Sequence, residues 1–270
     1  MYRRLPGLSI RATQFVVELA EQELTETWNA ATGRRRQLSI PEALRLGLCW
    51  LRRNMTFAEL GEDFGVGKTT AFDYAHEMAA YLAEVVGCPV EDLKNGQAEK
   101  VLLVDGTLVP TFNWRHRRDL HSGKHKRYGA NVQVLADIHG RVQAVAGPFP
   151  GSWHDKHSYD EAGLADVVAG SGAGVGDSGY QGTGLVTPIK KKPGRELSDA
   201  ERQFNTGVSS VRVGVEHAIA HVKNWRIMAS RYRGEFTFRF DNVVLAAAGL
   251  QALNDRLSER KLSFARFNKN

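Results

Sequence analysis

Residues 101–107 read VLLVDGT, an apolar run of Val101, Leu102, Leu103 and Val104 that ends in Asp105 and Gly106. Such a run, closed by two turn-forming residues, predicts a buried strand that delivers a carboxylate to its C-terminal edge. Downstream, residues 128–136 and 141–149 predict a strand pair joined by Asp137-Ile138-His139-Gly140, in which Asp137 and Gly140 are ordinary turn residues. Asp137 is therefore read as structural. GSWHDKHSYD (151–160) comes next, with Asp155 placed to cap a helix running to about Ala169. GVGDSGY (174–180) then sets Asp177 after a very short strand, and LVTPIK (185–190) predicts one more strand.

The last clear element is a helix from about Val208 to Arg226, with Val208, Val211, Val215, Ile219 and Val222 on its apolar face. Arg212, Glu216 and Lys223 border that face. At about 100° per residue they fall within about 40° of one another, so Glu216 can sit half-buried facing the sheet carboxylates.

Upstream of residue 101 the pattern is helical. Ser39 with Glu42, and Thr56 with Glu59, each fit a capping box, and Pro41 suits a first helical turn. A short helix from Phe57 to about Phe64, a tight turn at Gly65-Val66, and a helix from Gly67 to about Val85 give a helix-turn-helix layout. Phe72, Ala75, Ala79 and Leu82 form the buried face of the second helix, leaving Lys68, Thr69, Thr70 and Asp73 where base and phosphate contacts are made. A structural helical hairpin carries the same signals. Gly67-Lys68-Thr69 resembles the end of a P-loop, but Glu62 stands where that motif requires glycine, which excludes nucleotide binding of that kind. The expected division is a helical region at 1–95, a catalytic domain at 96–258 after a polar linker at 87–100, and a basic tail at 259–270.

The chain has 270 residues, 42% of them hydrophobic, enough to bury a substantial core. The stretch MYRRLPGLSIRATQF lacks the apolar run of a signal peptide, and no segment approaches the ~18 apolar residues of a membrane span, so a cytoplasmic location is expected. Cys49 and Cys88 are too few for a disulfide framework and are read as small core residues. Thirty-six Lys and Arg against 30 Asp and Glu give a net charge of +6, which suits a polyanionic partner. The positive charge gathers at Arg34-Arg35-Arg36, at 115–127, at Lys190-Lys191-Lys192 and in the C-terminal tail. Any one such run alone reads as a solvated loop.

A strand with Asp105, two further strands, a helix, a strand with Asp177, another strand and a helix with Glu216 is the order that an α/β, RNase H-like nuclease fold needs: a mixed sheet flanked by helices. Read singly, each carboxylate is an ordinary structural residue; Asp105 ends a strand, Asp177 sits in a turn and Glu216 pairs with Arg212. Read together, they are ligands for hard Mg²⁺ ions, and a shared Asp bridging two ions roughly 3.5–4 Å apart suits phosphoryl transfer. His217 and His221 lie one turn apart without an HExxH pattern, so they do not point to zinc. His154 is read as capping or hydrogen bonding near the site.

VDGT at Asp105, SGKHKRYGANVQ (122–133), PGSWHD (150–155), GDSGYQG at Asp177, TPIKK (187–191) and RVGVEHAIAHVKNW around Glu216 together resemble the DDE transposases of bacterial insertion sequences. The resemblance runs from about Val101 to Leu250 and is to the group related to eukaryotic Harbinger transposases. It implies that Asp105, Asp177 and Glu216 bind two Mg²⁺ ions, with Mn²⁺ able to substitute. It further implies that water cuts a strand at the element's end, that the freed 3′-hydroxyl attacks target DNA, and that Arg212 and Lys223 hold phosphates near the cut. The partners implied are double-stranded DNA, as inverted-repeat ends and target, and further copies of the chain, since pairing two ends needs two active sites. The tyrosine that often precedes the Arg by three residues is Ser209 here. The competing readings are a domesticated DNA-binding regulator that no longer cuts, and a DDE endonuclease without strand transfer.

Overall fold

The computed structural model describes residues 4–29, 36–95, 101–112, 116–234 and 236–267. Arg34, Arg35, Arg115, residues 96–100 of the expected linker and the last three residues of the tail lie outside them. The chain divides into two compact units: Met1–Gly87 with Asn224–Met228 and Gly234–Asn270, and Cys88–Lys223 with Ala229–Arg233.

The first unit is helical: α1 (Ile10–Asn29), α2 (Ile40–Arg53), α3 (Phe57–Phe64), α4 (Lys68–Val86) and the long C-terminal α10 (Phe238–Phe267). Both expected capping boxes are present. Thr56 Oγ1 accepts from the Glu59 N–H at 3.2 Å while the Glu59 carboxylate accepts from the Thr56 N–H at 2.6 Å, satisfying two otherwise orphaned donors. Gly65 ends α3 at φ 65°. In α4, Ala75, Ala79 and Leu82 are buried as expected, but Phe72 is only half-buried, and Ala71, Tyr74 and Met78 are buried besides. The buried face is wider than expected because α2 and α10 both pack on α4. The α10 backbone comes so close that a Cβ at Gly249 would lie 1.9 Å from the Val86 carbonyl oxygen. Asn254 of α10 also ties down the N-terminal segment, donating to Gly7 O and accepting from Ser9 N–H. Residues 234–258, expected with the catalytic domain, thus pack with the N-terminal helices.

The second unit is α/β. Its mixed sheet has β1 (Leu102–Pro110) antiparallel to β3 (Arg127–Ala136), which also pairs antiparallel with β4 (Val142–Pro150) and, at its start, with β2 (His121–Ser122). On its other edge β1 runs parallel to β5 (Gly174–Val175) over Leu102 and Leu103 only. The helices are α5 (Val90–Asn95), α6 (Asp155–Glu161), α7 (Leu164–Ser171) and α8 (Asp199–Lys223); the one-turn α9 (Arg226–Ala229) that follows belongs, but for its last residue, to the helical unit.

Strand alternation assigns the two faces of β1. Leu102 and Val104 join Leu135, Tyr159, Leu164, Val167 and Tyr180 in the core beneath α5, α6 and α7. Leu103 points the other way, toward α8, where its Cδ1 lies 2.7 Å from the position a Cβ on Gly214 would occupy.

Several expectations are corrected. β1 does not stop at Asp105 but continues to Pro110, with Asp105 paired to Val134 inside the sheet. Asp105 is nevertheless reachable, because β5 is too short to cover it. The helix expected from Asp155 to Ala169 is two helices, broken at Gly163 with φ 62°. LVTPIK forms only a bridge between Val175 and Val186, since β5 offers two residues for pairing and Pro188 has no N–H to give. Residues 88–95 are not a linker: Cys88 O accepts from Val145 N–H at 2.9 Å, Val90 is in the core, and α5 packs on β4 and α7. α8 begins at Asp199 rather than near Val208, and its buried stripe runs through Val208, Val215, Ala218 and Val222, leaving Val211 exposed. No helix among the described residues is long and apolar enough to cross a membrane.

Candidate active site

Asp105 lies on the α8 side of β1. Arg212, midway along α8, donates from Nη2 to Asp105 Oδ2 at 3.3 Å, and the two side chains are only 16% and 18% exposed. Asp105 Oδ1 accepts from the Gly106 N–H at 2.8 Å. Burial pushes the Asp105 carboxyl up to about 6; Arg212 and the Gly106 N–H act against that, while the charges of Asp177 and Asp155 reinforce it. A carboxyl held so high beside a guanidinium is short of positive charge.

Asp177 follows β5 as the cap of a short turn, its Oδ1 accepting from the Gly179 N–H at 2.7 Å. The two-residue strand explains its position: the parallel register with Leu102 and Leu103 brings the chain after Val175 beside Asp105.

The opposite face of β1 carries a hydrogen-bonded chain. Tyr180 donates its hydroxyl to Gln133 Oε1 at 2.6 Å, Gln133 Nε2 donates to Asn131 Oδ1 at 2.8 Å, and Asn131 Nδ2 donates to Asp155 Oδ1 at 2.9 Å. Lys124 closes it, giving Asp155 Oδ2 a bond of 2.9 Å. Burial, then the charges of Asp155, Asp105 and Asp177, raise the Tyr180 pKa far above its ordinary value, so the hydroxyl stays a donor. Burial opposes the Lys124 ammonium, but the hydrogen bond and charge of Asp155, with Asp177 and Asp105 beyond it, hold its pKa above the usual range. Gly106 makes this approach feasible: a Cβ there would lie 2.2 Å from Asp155 Oδ1 and 2.9 Å from Gln133 Nε2.

Asp155, expected as a helix cap, is instead the first residue of α6, with His154 at the cap position and exposed. Glu216 is exposed on α8, one turn beyond Arg212. Lys223, at the end of α8, is half-buried and donates to Leu108 O at 3.2 Å; burial, then the Arg127 charge, lowers its pKa. Among the described residues no three His, Cys, Asp or Glu side chains gather closely enough to hold a metal ion. The structure therefore brings Asp105, Asp177 and Asp155 within electrostatic reach of one another and puts Arg212 against Asp105. In the helical unit, Lys68 and Thr69 are exposed in the first turn of α4 and Thr70 is half-buried. Asp137 is structural, as expected: it is buried, accepting from the His139 and Arg141 N–H groups and from the side chains of Arg141 and Gln143.

The sequence reading did not single out Lys124, Asn131, Gln133 or Tyr180. A signal was present, since all four stand within SGKHKRYGANVQ and GDSGYQG.

Residues 104–251 match the family of DDE superfamily endonucleases. The chain is 32% identical over 232 residues to the "Putative transposase for insertion sequence element IS112" of Streptomyces albus G, spanning 85% of this chain and 86% of that protein. It is 24% identical over 249 residues to the "Probable transposase for insertion sequence element IS702" of Microchaete diplosiphon, spanning 86% of each. No solved structure matches the chain.

Proposed function

The chain belongs to the DDE superfamily endonucleases, and from that premise we propose that Asp105, Asp177 and Glu216 are the cutting residues of an insertion-sequence transposase. Its two relatives carry transposase names over most of its length, and the chain is a DNA transposase. The observation that carries the residue assignment is the placement of Asp105, a buried carboxyl against Arg212 and within electrostatic reach of Asp177, whose pKa burial raises to about 6 despite Arg212 and the Gly106 N–H.

The donor chemistry suits hard divalent cations. Asp105 and Asp177 offer carboxylate oxygens, and a cation relieves both the burial and the repulsion that raise Asp105. Glu216, exposed one turn from Arg212 on the same helix, is the third ligand of this reading and would have to turn toward Asp105 and Asp177 to share an ion with them. Two Mg²⁺ ions, or Mn²⁺ in their place, supply when bound an activated attacking hydroxyl and a stabilised leaving oxygen. Arg212 has a buried Nε with no hydrogen-bond partner among the described residues, so its guanidinium is not fully engaged by Asp105 and, by turning outward, could donate to a non-bridging phosphate oxygen. Lys223 holds the neighbouring phosphate. The same residues serve strand hydrolysis at the element's end and attack of the freed 3′-hydroxyl on target DNA.

In this reading the second unit is an RNase H-like catalytic domain, and α3 with α4 is a helix-turn-helix that reads the inverted repeats through Lys68, Thr69 and Thr70. Joining two ends calls for two active sites, hence a dimer or larger complex on DNA. The protein works on DNA in the bacterial cytoplasm, at the nucleoid.

The test is incubation with element-end DNA and Mg²⁺, with cut positions mapped on both strands. Wild type is expected to cut at the end and Asp177→Asn to lose cutting by at least about a thousandfold while binding DNA nearly as before, because a ligand is lost and phosphate contacts are not. Cutting retained in that variant defeats the assignment.

A further inference from the structure

Beyond Lys223, an open cleft of about 600 Å³ lies where the end of β1, the β2–β3 turn and the segment after α9 meet. Its floor includes Pro110, Thr111 and Tyr128. That floor is rigidly made: Thr111 N–H donates to Tyr128 O at 3.1 Å, Tyr232 N–H to Pro110 O at 2.8 Å and Phe112 N–H to Tyr232 O at 3.3 Å. Lys126 and Arg127 bring exposed permanent charges to the cleft, Arg231 stands beside them, and no carboxylate lines it among the described residues. Lys126 is held at φ 52°, a left-handed conformation that costs a non-glycine residue free energy and is met most often at functional turns. His121 lines the cleft as well, its ring edge against Tyr128 with centroids 5.2 Å apart.

The charge of Arg127 acts on Lys223, whose ammonium sits on Leu108 O. Asp105, Leu108 and Pro110 follow one another along β1. The cations Arg212, Lys223 and Arg127 therefore form one track along that strand, leading away from Asp105.

We propose that this cleft is a second phosphate-binding site of the transposase, holding the backbone of the strand being cut about five nucleotides from the cut. The inference rests on the transposase reading. The spacing follows from geometry: five to six residues of β1 separate Asp105 from the cleft floor, roughly 16–20 Å at a strand's rise, and DNA advances about 3.4 Å per nucleotide. Lys126 and Arg127, exposed side by side at the rim of a cleft of fixed shape, offer the positive charge a phosphodiester backbone requires, and that contact is independent of base sequence.

The experiment compares wild type with Lys126→Asn/Arg127→Gln, in which Asn tolerates the left-handed turn. Binding to element-end DNA is measured from 0.05 to 0.5 M salt, and phosphate-ethylation interference is mapped on the cut strand. The double variant is expected to melt at the wild-type temperature. Its slope of log affinity on log salt should be shallower by about two, and its binding roughly ten- to a hundredfold weaker at 0.1 M salt. Interference about five nucleotides from the cut should fade, while that beside the cut remains. A double variant that binds with the wild-type slope and interference pattern overturns the cleft assignment alone. A wild type that fails to bind DNA overturns the transposase reading, and the cleft with it.

Discussion

The two faces of β1 treat their polar groups in opposite ways. Toward α6, the run Tyr180, Gln133, Asn131, Asp155 and Lys124 is hydrogen-bonded from end to end. Toward α8, Asp105 has beyond the adjacent Gly106 N–H only one long side-chain bond, to Arg212, and the Arg212 Nε is buried with no partner among the described residues. A satisfied network stiffens a structure, whereas an unsatisfied donor beside an undercompensated carboxylate represents stabilisation forgone. Folding alone gives no reason to keep the second arrangement. The contrast teaches that the α6 face is the scaffold and the α8 face is where ligands are received.

The largest expected effect comes from breaching the wall between the faces. Gly106→Ala drives a methyl group to 2.2 Å from Asp155 Oδ1, and Asp155 can withdraw only by leaving Asn131 or Lys124. Overpacking and a broken buried bond together should cost about 3 kcal/mol, read as a lower denaturant midpoint with the slope unchanged. If the midpoint does not move, the chain of hydrogen bonds is not the rigid element described above.

A second test measures the imbalance on the α8 side directly. With divalent ions removed by a chelator, the proton favours the folded state, because the Asp105 pKa rises from 3.8 to about 6 on folding. The sign follows: this contribution is fully present below about pH 4 and is lost as pH rises through about 6, so it opposes the usual gain in stability over that window. Asp105→Asn should abolish that loss, and the difference between variant and wild type should change by up to about 3 kcal/mol between pH 4 and pH 7. Equal pH profiles for the two proteins would mean that Asp105 is adequately compensated in the fold.

Much of this was legible in the sequence, because local chemistry governed it. Both capping boxes, the Gly65 turn, the strands around Asp137 and the two-residue strand before Asp177 depend on near neighbours. What escaped depends on partners distant in the chain. Asp155 looked like a helix cap because its true partners, Lys124 and Asn131, stand 31 and 24 residues away. Asp105-Gly106 looked like a strand end, yet the pairing with β3 carries β1 on to Pro110. The first turns of α8 are too polar to announce a helix; Ser198 and Glu201 cap them, and Asn205 is bonded to the Ile189 backbone. Glu216 was expected to be half-buried, but the stripe of α8 that is buried is rotated away from Val211 and leaves Glu216 outside.

The smallest expected effect distinguishes scaffold from site at their junction. Lys124 is 63% exposed and pairs with Asp155, which keeps its bond to Asn131 when Lys124 is removed. With its lysine end in water the pair contributes little, so Lys124→Ala should lower stability by less than about 1 kcal/mol. Its ammonium nevertheless interacts with Asp155, Asp177 and Asp105 together. Removing it takes a positive charge away from the place a divalent cation would enter, and like charges compete. Mn²⁺ titrated into Lys124→Ala should therefore bind a few-fold more tightly than into wild type, the gain shrinking as salt is raised. Weaker binding would instead make Lys124 a support of the cation site, with the Asp155 carboxylate needing its bond to be held in place, and the division between the two faces of β1 would no longer stand.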